Sequence, residues 1–285
     1  MSENIKFRVA EELICIKGYP QDQGQKIPEA YLPFISQGKA DISIRFLRGE
    51  PQIRDGQKLF ESLHIWSLYS SNGTRIIKIY EEMPGLERIL VIPSELNSAD
   101  LYFPFRTDTA VDPFSGPTME LLMINYLAQG RGVIIHCCGI EKDGEGILFI
   151  GESGAGKSTM ANLWNADGGI EILSDDRVIV RKRGEDFRMY GTPWHGEAQF
   201  VSPRGVKLKK MFFLRHAGQN EVHPLSGAES VQQLLKCSFP PFWDATGMNF
   251  TLDLFTDLAT VVPCYGLGFK PDRSAIDYIY DSKIE

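Results

Sequence analysis

Apolar residues in the first hundred positions come in short runs separated by turn formers. Phe7 to Val9, Leu13 to Ile16, Asp41 to Phe46, His64 to Tyr69, Ile76 to Tyr80 and Arg88 to Ile92 each have strand length, and Gly, Pro and the pair Asn72-Gly73 punctuate them. The pattern predicts an antiparallel β region that serves as a scaffold or a substrate-docking module. After Gly116-Pro117 the period changes: Met119, Leu122, Met123, Tyr126 and Leu127 recur at helical spacing, which predicts a packed helix ending before the Gly130 to Gly132 turn. Two continuous apolar runs, Val133 to Cys138 and Ile147 to Ile150, then flank the turn-forming Glu141-Lys142-Asp143-Gly144 and read as buried strands. A short helix from Thr159 to about Asn165 stops at Gly168-Gly169, and a strand follows at Ile170 to Leu173. Farther on, Ser226 and Glu229 have the spacing of a capping box and open a helix through Lys236. Met248, Leu252, Phe255, Leu258 and Val262 imply a second helix over much of Trp243 to Val262, followed by a strand at Cys264 to Phe269 and a last helix at Ser274 to Tyr280. The change of texture sets an expected boundary near residue 112, with a β-rich domain over 1–112 and an α/β domain over 113–285.

Composition adds exclusions. The chain is 43% hydrophobic, enough for a sizeable core, and its formal charge of −7 argues against a general polyanion binder, so no nucleic-acid partner is expected. No apolar stretch has the length needed to cross a bilayer and the first residues are polar, so no membrane partner is expected and the expected location is cytoplasmic. Cys15, Cys137, Cys138, Cys237 and Cys264 form no C-x-x-C pair, and buried thiols are expected rather than a disulfide or structural metal site.

The candidate chemistry begins where the strand Ile147 to Ile150 ends. Gly151-Glu152-Ser153-Gly154-Ala155-Gly156-Lys157-Ser158-Thr159 is a full match to G-x-x-x-x-G-K-[ST], the P-loop pattern, in the expected strand-to-helix context. The glycines let successive N–H groups turn toward phosphate oxygens at a helix N-terminus, Lys157 reaches the β and γ phosphates, and Ser158 supplies a hydroxyl to Mg²⁺. The expected ligands are thus a nucleoside triphosphate, taken as ATP, and Mg²⁺. The strand Ile170 to Leu173 runs into Ser174-Asp175-Asp176-Arg177, where one acid can hold Mg²⁺ and another can take the proton of an attacking hydroxyl.

These residues resemble the HPr serine kinase/phosphorylase family and its wider set of HPr-kinase-like proteins, and more distantly the ATP-dependent phosphoenolpyruvate carboxykinases. The resemblance is carried by GESGAGKST, LSDDRV (Leu173 to Val178), YGTPWHGE (Tyr190 to Glu197) and VPCYGLGFKPD (Val262 to Asp272), and covers roughly residues 130 to 280. It implies an α/β P-loop kinase core of the HPr kinase/phosphoenolpyruvate carboxykinase type with a mixed sheet, preceded by the β-rich domain. It also implies Asp175 as general base and Asp176 as the metal-binding partner. Thr192, His195 and Glu197 occupy the loop that approaches metal and acceptor, with Glu197 a metal and catalytic candidate and His195 a contact for the acceptor phosphate. Two positions depart from the family pattern. Arg131 stands where HPr kinases carry a histidine, with His136 inside the following strand as a core or supporting residue. Ser202-Pro203-Arg204-Gly205-Val206-Lys207 replaces the HPr-docking segment.

The resulting expectation is an ATP-dependent phosphotransferase acting on a hydroxyl acceptor, a protein or peptide serine first. A small hydroxylated metabolite is the first alternative. A nucleotide-dependent regulatory protein with slow ATP hydrolysis is the second. A homo-oligomer is left open, since no interface is legible.

Overall fold

A computed structural model of the chain describes residues 3–19, 26–53, 56–80, 87–103 and 112–281. The chain divides into two compact units, Met1–Tyr126 and Leu127–Glu285. The expected boundary near residue 112 adjoins residues 104–111, which lie outside the described residues.

The first unit holds β1 (Glu3–Val9), β2 (Glu12–Tyr19), β3 (Ile42–Arg48), β4 (Gln57–Ser62), β5 (Trp66–Ser71), β6 (Thr74–Tyr80), β7 (Glu87–Ile92) and β8 (Ser98–Phe103), with a 3-10 turn at Glu29–Phe34 and the helix α1 (Thr118–Leu127). The strands form one eight-stranded sheet in the order β1-β2-β3-β8-β7-β6-β5-β4. The expectation of an antiparallel region is corrected here. β2 pairs with β3 and β3 with β8 in parallel, and only the other neighbours are antiparallel. Parallel neighbours need a long crossover. The chain between β2 and β3, carrying the 3-10 turn, and the long excursion from β3 through β4 to β7 supply these crossovers. An aromatic group consolidates one face: Phe114 lies 4.4 Å from the Tyr31 ring and 5.9 Å from both Phe7 and Tyr19. Arg88, 2% exposed, donates to the carbonyls of Ser115 at 2.7 Å and Asp112 at 3.1 Å, which meets part of its buried charge with backbone dipoles.

The second unit continues with β9 (Val133–Lys142), β10 (Glu145–Ile150), α2 (Lys157–Asp167), β11 (Glu171–Ser174), β12 (Arg177–Arg183), β13 (Asp186–Tyr190), β14 (Gly205–His216), β15 (Glu221–Pro224), α3 (Gly227–Lys236), α4 (Ala245–Val261), β16 (Cys264–Phe269) and α5 (Ser274–Asp281). Its sheet is mixed. The path β10-β9-β12-β13-β14-β16-β15 turns back on itself because β10 also pairs with β14, and that pair and β14–β16 are parallel. The β9–β10 hairpin closes on Asp143-Gly144, both with positive φ, as the twist of a two-residue hairpin turn requires.

Side chains that alternate along the strands separate two cores. Ile135 and Cys137 of β9 and Leu148 and Ile150 of β10 pack with Leu234 of α3 and Leu254, Phe255 and Leu258 of α4. On the opposite face, Cys138, Ile140 and Phe149 pack with Met160, Ala161 and Trp164 of α2 and Ile276 of α5. All five cysteines are free and buried, as expected. Burial pushes the Cys137 and Cys138 thiols far up, leaving them little thiolate character. Among the described residues no helix is long and apolar enough to cross a membrane.

Candidate active site

The site forms at the end of the sheet where β10 and β14 deliver their C-termini. β10 ends at Ile150, residues 151–156 turn, and α2 begins at Lys157. Gly156 is the N-cap of α2 at φ 100° with no side-chain cap, so the first amides of the helix are left for an external anion. Gly154 also has positive φ, and a Cβ on Gly156 would stand 2.6 Å from Phe269 Cζ, so the backbone favours glycine at both positions and space requires it at Gly156. Gly151 is buried, Glu152, Ser153 and Gly154 are exposed, and Ala155, Ser158 and Thr159 are half-buried at the helix start.

Lys157, 7% exposed, folds back so that Nζ donates to the carbonyls of Gly151 and Glu152, each at 3.0 Å. Burial pushes its ammonium below the ordinary value, with the Asp176 carboxylate the largest opposing influence. A buried cation held only by carbonyl dipoles is suited to receive phosphate oxygens.

The two aspartates leave the bend between β11 and β12 on different sides. Asp175 is 1% exposed, and its carboxylate is fully engaged: Oδ1 accepts from the amides of Gly196 at 3.0 Å and Phe200 at 3.2 Å, and Oδ2 from that of Ala198 at 2.9 Å. It pins the loop after β13. Asp176 instead meets His136 of β9, whose Nε2 lies 3.0 Å from Oδ1, and the guanidinium of Arg177 on Oδ2. The β9–β12 register produces this meeting by placing Arg177 opposite His136. Burial pushes the Asp176 carboxyl up, but the hydrogen bond from His136 and the charges of Arg177, His136 and Lys157 outweigh it and hold the group below the usual carboxylate value.

The loop residues divide. Thr192 is fully buried, with Oγ1 donating to the Arg177 carbonyl at 2.6 Å, a structural tie. His195 is half-buried and its Nδ1 lies 2.9 Å from the Gly196 carbonyl. Glu197 is exposed, between two of the amides that Asp175 holds. Arg204 pairs with Glu171 and, at 3.1 Å, with Glu141, and Lys207 pairs with Asp186 at 2.6 Å.

His216 goes unmarked in the sequence reading, yet its Nε2 lies 2.6 Å from the Gly154 carbonyl and its ring stacks with Phe269. Together with Gly154, Phe213 and Cys237 it lines a cavity of about 330 Å³ beside the loop. The available signal is the apolar run Met211 to Leu214 ending in Arg215-His216, since ligands gather beyond the carboxyl ends of parallel strands.

The family model of the SynChlorMet cassette protein ScmC matches residues 117–268, which contain the glycine loop, both aspartates and the loop at 191–200. The HPr kinase/phosphorylase of Caldanaerobacter subterraneus subsp. tengcongensis is 29% identical over 154 residues, covering 53% of this chain and 48% of the relative. That of Lachnoclostridium phytofermentans is 30% identical over 173 residues, covering 60% and 52%. The chain spans about half the length of the curated relatives it matches. The protein is therefore HPr-kinase-like in class. Within that class it belongs to the SynChlorMet cassette protein ScmC family.

Proposed function

We propose that this chain is an ATP-dependent phosphotransferase with a P-loop kinase core, which moves the γ-phosphoryl group to a hydroxyl acceptor, a protein or peptide serine in first place. Its main support is the glycine turn at 151–156 running into the uncapped N-terminus of α2, with the buried Lys157 ammonium folded back on the Gly151 and Glu152 carbonyls at 3.0 Å and the charge of the Asp176 carboxylate acting on it. The amides of residues 151–157 and Lys157 hold the phosphates, and Lys157 exchanges its two carbonyl partners for phosphate oxygens.

The surroundings of the two aspartates favour moving the general-base role, which the family resemblance gives to Asp175, to Asp176. Asp176 faces the acceptor and takes the hydroxyl proton, while His136 and Arg177 keep it ionised until then. Asp175 is a positioning residue that fixes the loop carrying His195 and Glu197. Among the described residues no three His, Cys, Asp or Glu side chains cluster as a metal site. Mg²⁺ does not need such a cluster, since it is usually held by one or two carboxylates together with substrate phosphates and water. Ser158 and Glu197 are the oxygens this chain offers it, since Asp176 is engaged by His136 and Arg177 and assigned to the acceptor. When bound, the ion would offset charge on the β and γ phosphates.

HPr, which names the relatives, is not carried over as the acceptor, because Arg204 and Lys207 in the segment at 202–207 are taken up in ion pairs. The test is transfer of label from γ-labelled ATP in Mg²⁺ to the protein and small-molecule fractions of a native lysate. Label is expected on a protein band and should fall at least about 100-fold in Asp176→Asn, with nucleotide affinity changed far less. Undiminished transfer by Asp176→Asn would sink the role assignment, and label on a metabolite would move the acceptor class. ATP binding without label in either fraction would point to a nucleotide-dependent regulator.

A further inference from the structure

A second cavity, of about 230 Å³, lies at the opposite end of the sheet from the glycine loop. It sits by the β9–β10 hairpin, separated from the loop by the six residues of β10, about 20 Å at ~3.3 Å per residue. Trp164 and Phe212 line it, both from the core, together with Tyr280 of α5. Three lysines and two carboxylates share the lining. Lys209 is neutralised by Glu145 at 3.2 Å. Lys142 differs: its ammonium lies 3.4 Å from the centre of the Tyr280 ring and 5.9 Å from that of Trp164, and it pairs with no carboxylate among the described residues.

A second observation is independent of that charge. Trp164 is fully buried, and its indole Nε1–H has no hydrogen-bond partner. A buried donor of this kind is rare in folded proteins and calls for a partner, a water or a ligand oxygen. From these features we propose that the cavity is a binding site for a small planar aromatic acid. The ring would lie among Trp164, Phe212 and Tyr280, and the carboxylate would accept from Lys142 and from the Trp164 N–H. The volume is below the ~300–1,000 Å³ of pockets for drug-sized ligands, which suits one ring system with a short acidic arm. The site is separate from the phosphotransferase site and does not depend on that reading.

Indole-3-acetate is a suitable probe, titrated calorimetrically into the full chain, with neutral indole alongside. The expected result is binding of the acid that weakens at least about tenfold in Lys142→Gln, since a charge-assisted contact is lost, while indole binds both proteins alike. Trp164→Phe keeps a ring but removes the N–H, and should also weaken the acid. A non-hydrolysable ATP analogue should leave the affinity unchanged. Absence of binding at millimolar probe, equal affinity in Lys142→Gln, or displacement by the ATP analogue would each overturn the proposal.

Discussion

Asp175 and Asp176 are neighbours in sequence with opposite surroundings, and each predicts a different consequence of losing its charge. Replacing Asp175 by Asn leaves one uncharged oxygen to accept from the Gly196 and Phe200 amides and turns an NH2 donor toward the Ala198 amide. Hydrogen bonds to a charged group contribute about 1.5–3 kcal/mol, so Asp175→Asn should destabilise the protein by about 3 kcal/mol in urea unfolding. A variant as stable as the wild type would show that the loop is held by other contacts. For Asp176 the measurement is pH dependence. Its carboxyl lies below the ordinary value in the folded protein, so its contribution to stability is present above about pH 3.9, the unfolded value, and is lost as pH falls through the lower folded one. Urea melts at neutral pH and at pH ~2.5 should therefore show a larger loss for the wild type than for Asp176→Asn. Equal losses would mean that the fold does not favour this carboxylate. The acidic pair was legible in the sequence because it follows an apolar strand after the glycine loop. Its division of labour was not. That depends on His136, 40 positions away by number, brought opposite Arg177 by the strand register, and on amides at 196, 198 and 200 that carry no side-chain signal.

At the scale of elements, α2 is bracketed by two glycines that serve different ends. Gly156 has φ 100° and no room for a Cβ beside Phe269, whereas Gly168 has φ 81° and nothing within 4 Å. Gly168→Ala should cost about 1–3 kcal/mol of stability, the penalty of a backbone at φ 81° and ψ 173° that is open essentially to glycine alone, and leave nucleotide affinity intact. Gly156→Ala adds a collision that must move the loop, so binding of an ATP analogue should fall at least about tenfold in calorimetric titration. Equal effects of the two changes on binding would mean that the loop adapts without loss. Elements with strong local grammar were readable. The β9–β10 hairpin follows from two apolar runs about Asp143-Gly144, and α3 from its capping box, in which the Ser226 side chain accepts from the Glu229 amide while Glu229 accepts from the Ser226 amide. β14 was missed because Lys207, Lys209 and Lys210 interrupt its apolar positions and Ser202-Pro203 reads as loop. β4 was missed because its six residues are largely exposed and mostly polar. The parallel pairs of the first sheet were illegible for another reason. Strand direction is fixed by where the connection delivers the chain, and Ile42 to Arg48 reads the same beside either kind of neighbour.

At the scale of the whole molecule, the two units divide what could and could not be read. The matched family pattern, residues 117–268, lies in the second unit apart from its start at 117–126, while the rest of the first unit buries aliphatic and aromatic side chains such as Ile14, Ile44, Ile77 and Leu101 that state its fold and no chemistry. Ligand linkage gives a way to ask whether the units share one stability. A nucleotide that binds only the folded site stabilises it by about 2.7 kcal/mol at 100 times its dissociation constant. That gain reaches only amides whose exchange requires unfolding of the cooperative unit that binds. Because each unit has its own sheet and core, hydrogen exchange with saturating Mg²⁺ and an ATP analogue should slow the most protected amides of β9, β10 and β14 by about 100-fold and leave those of β2, β3 and β8 unchanged. An equal gain in both sheets would mean that the chain unfolds as a single cooperative body. The first unit would then contribute stability directly to the nucleotide site.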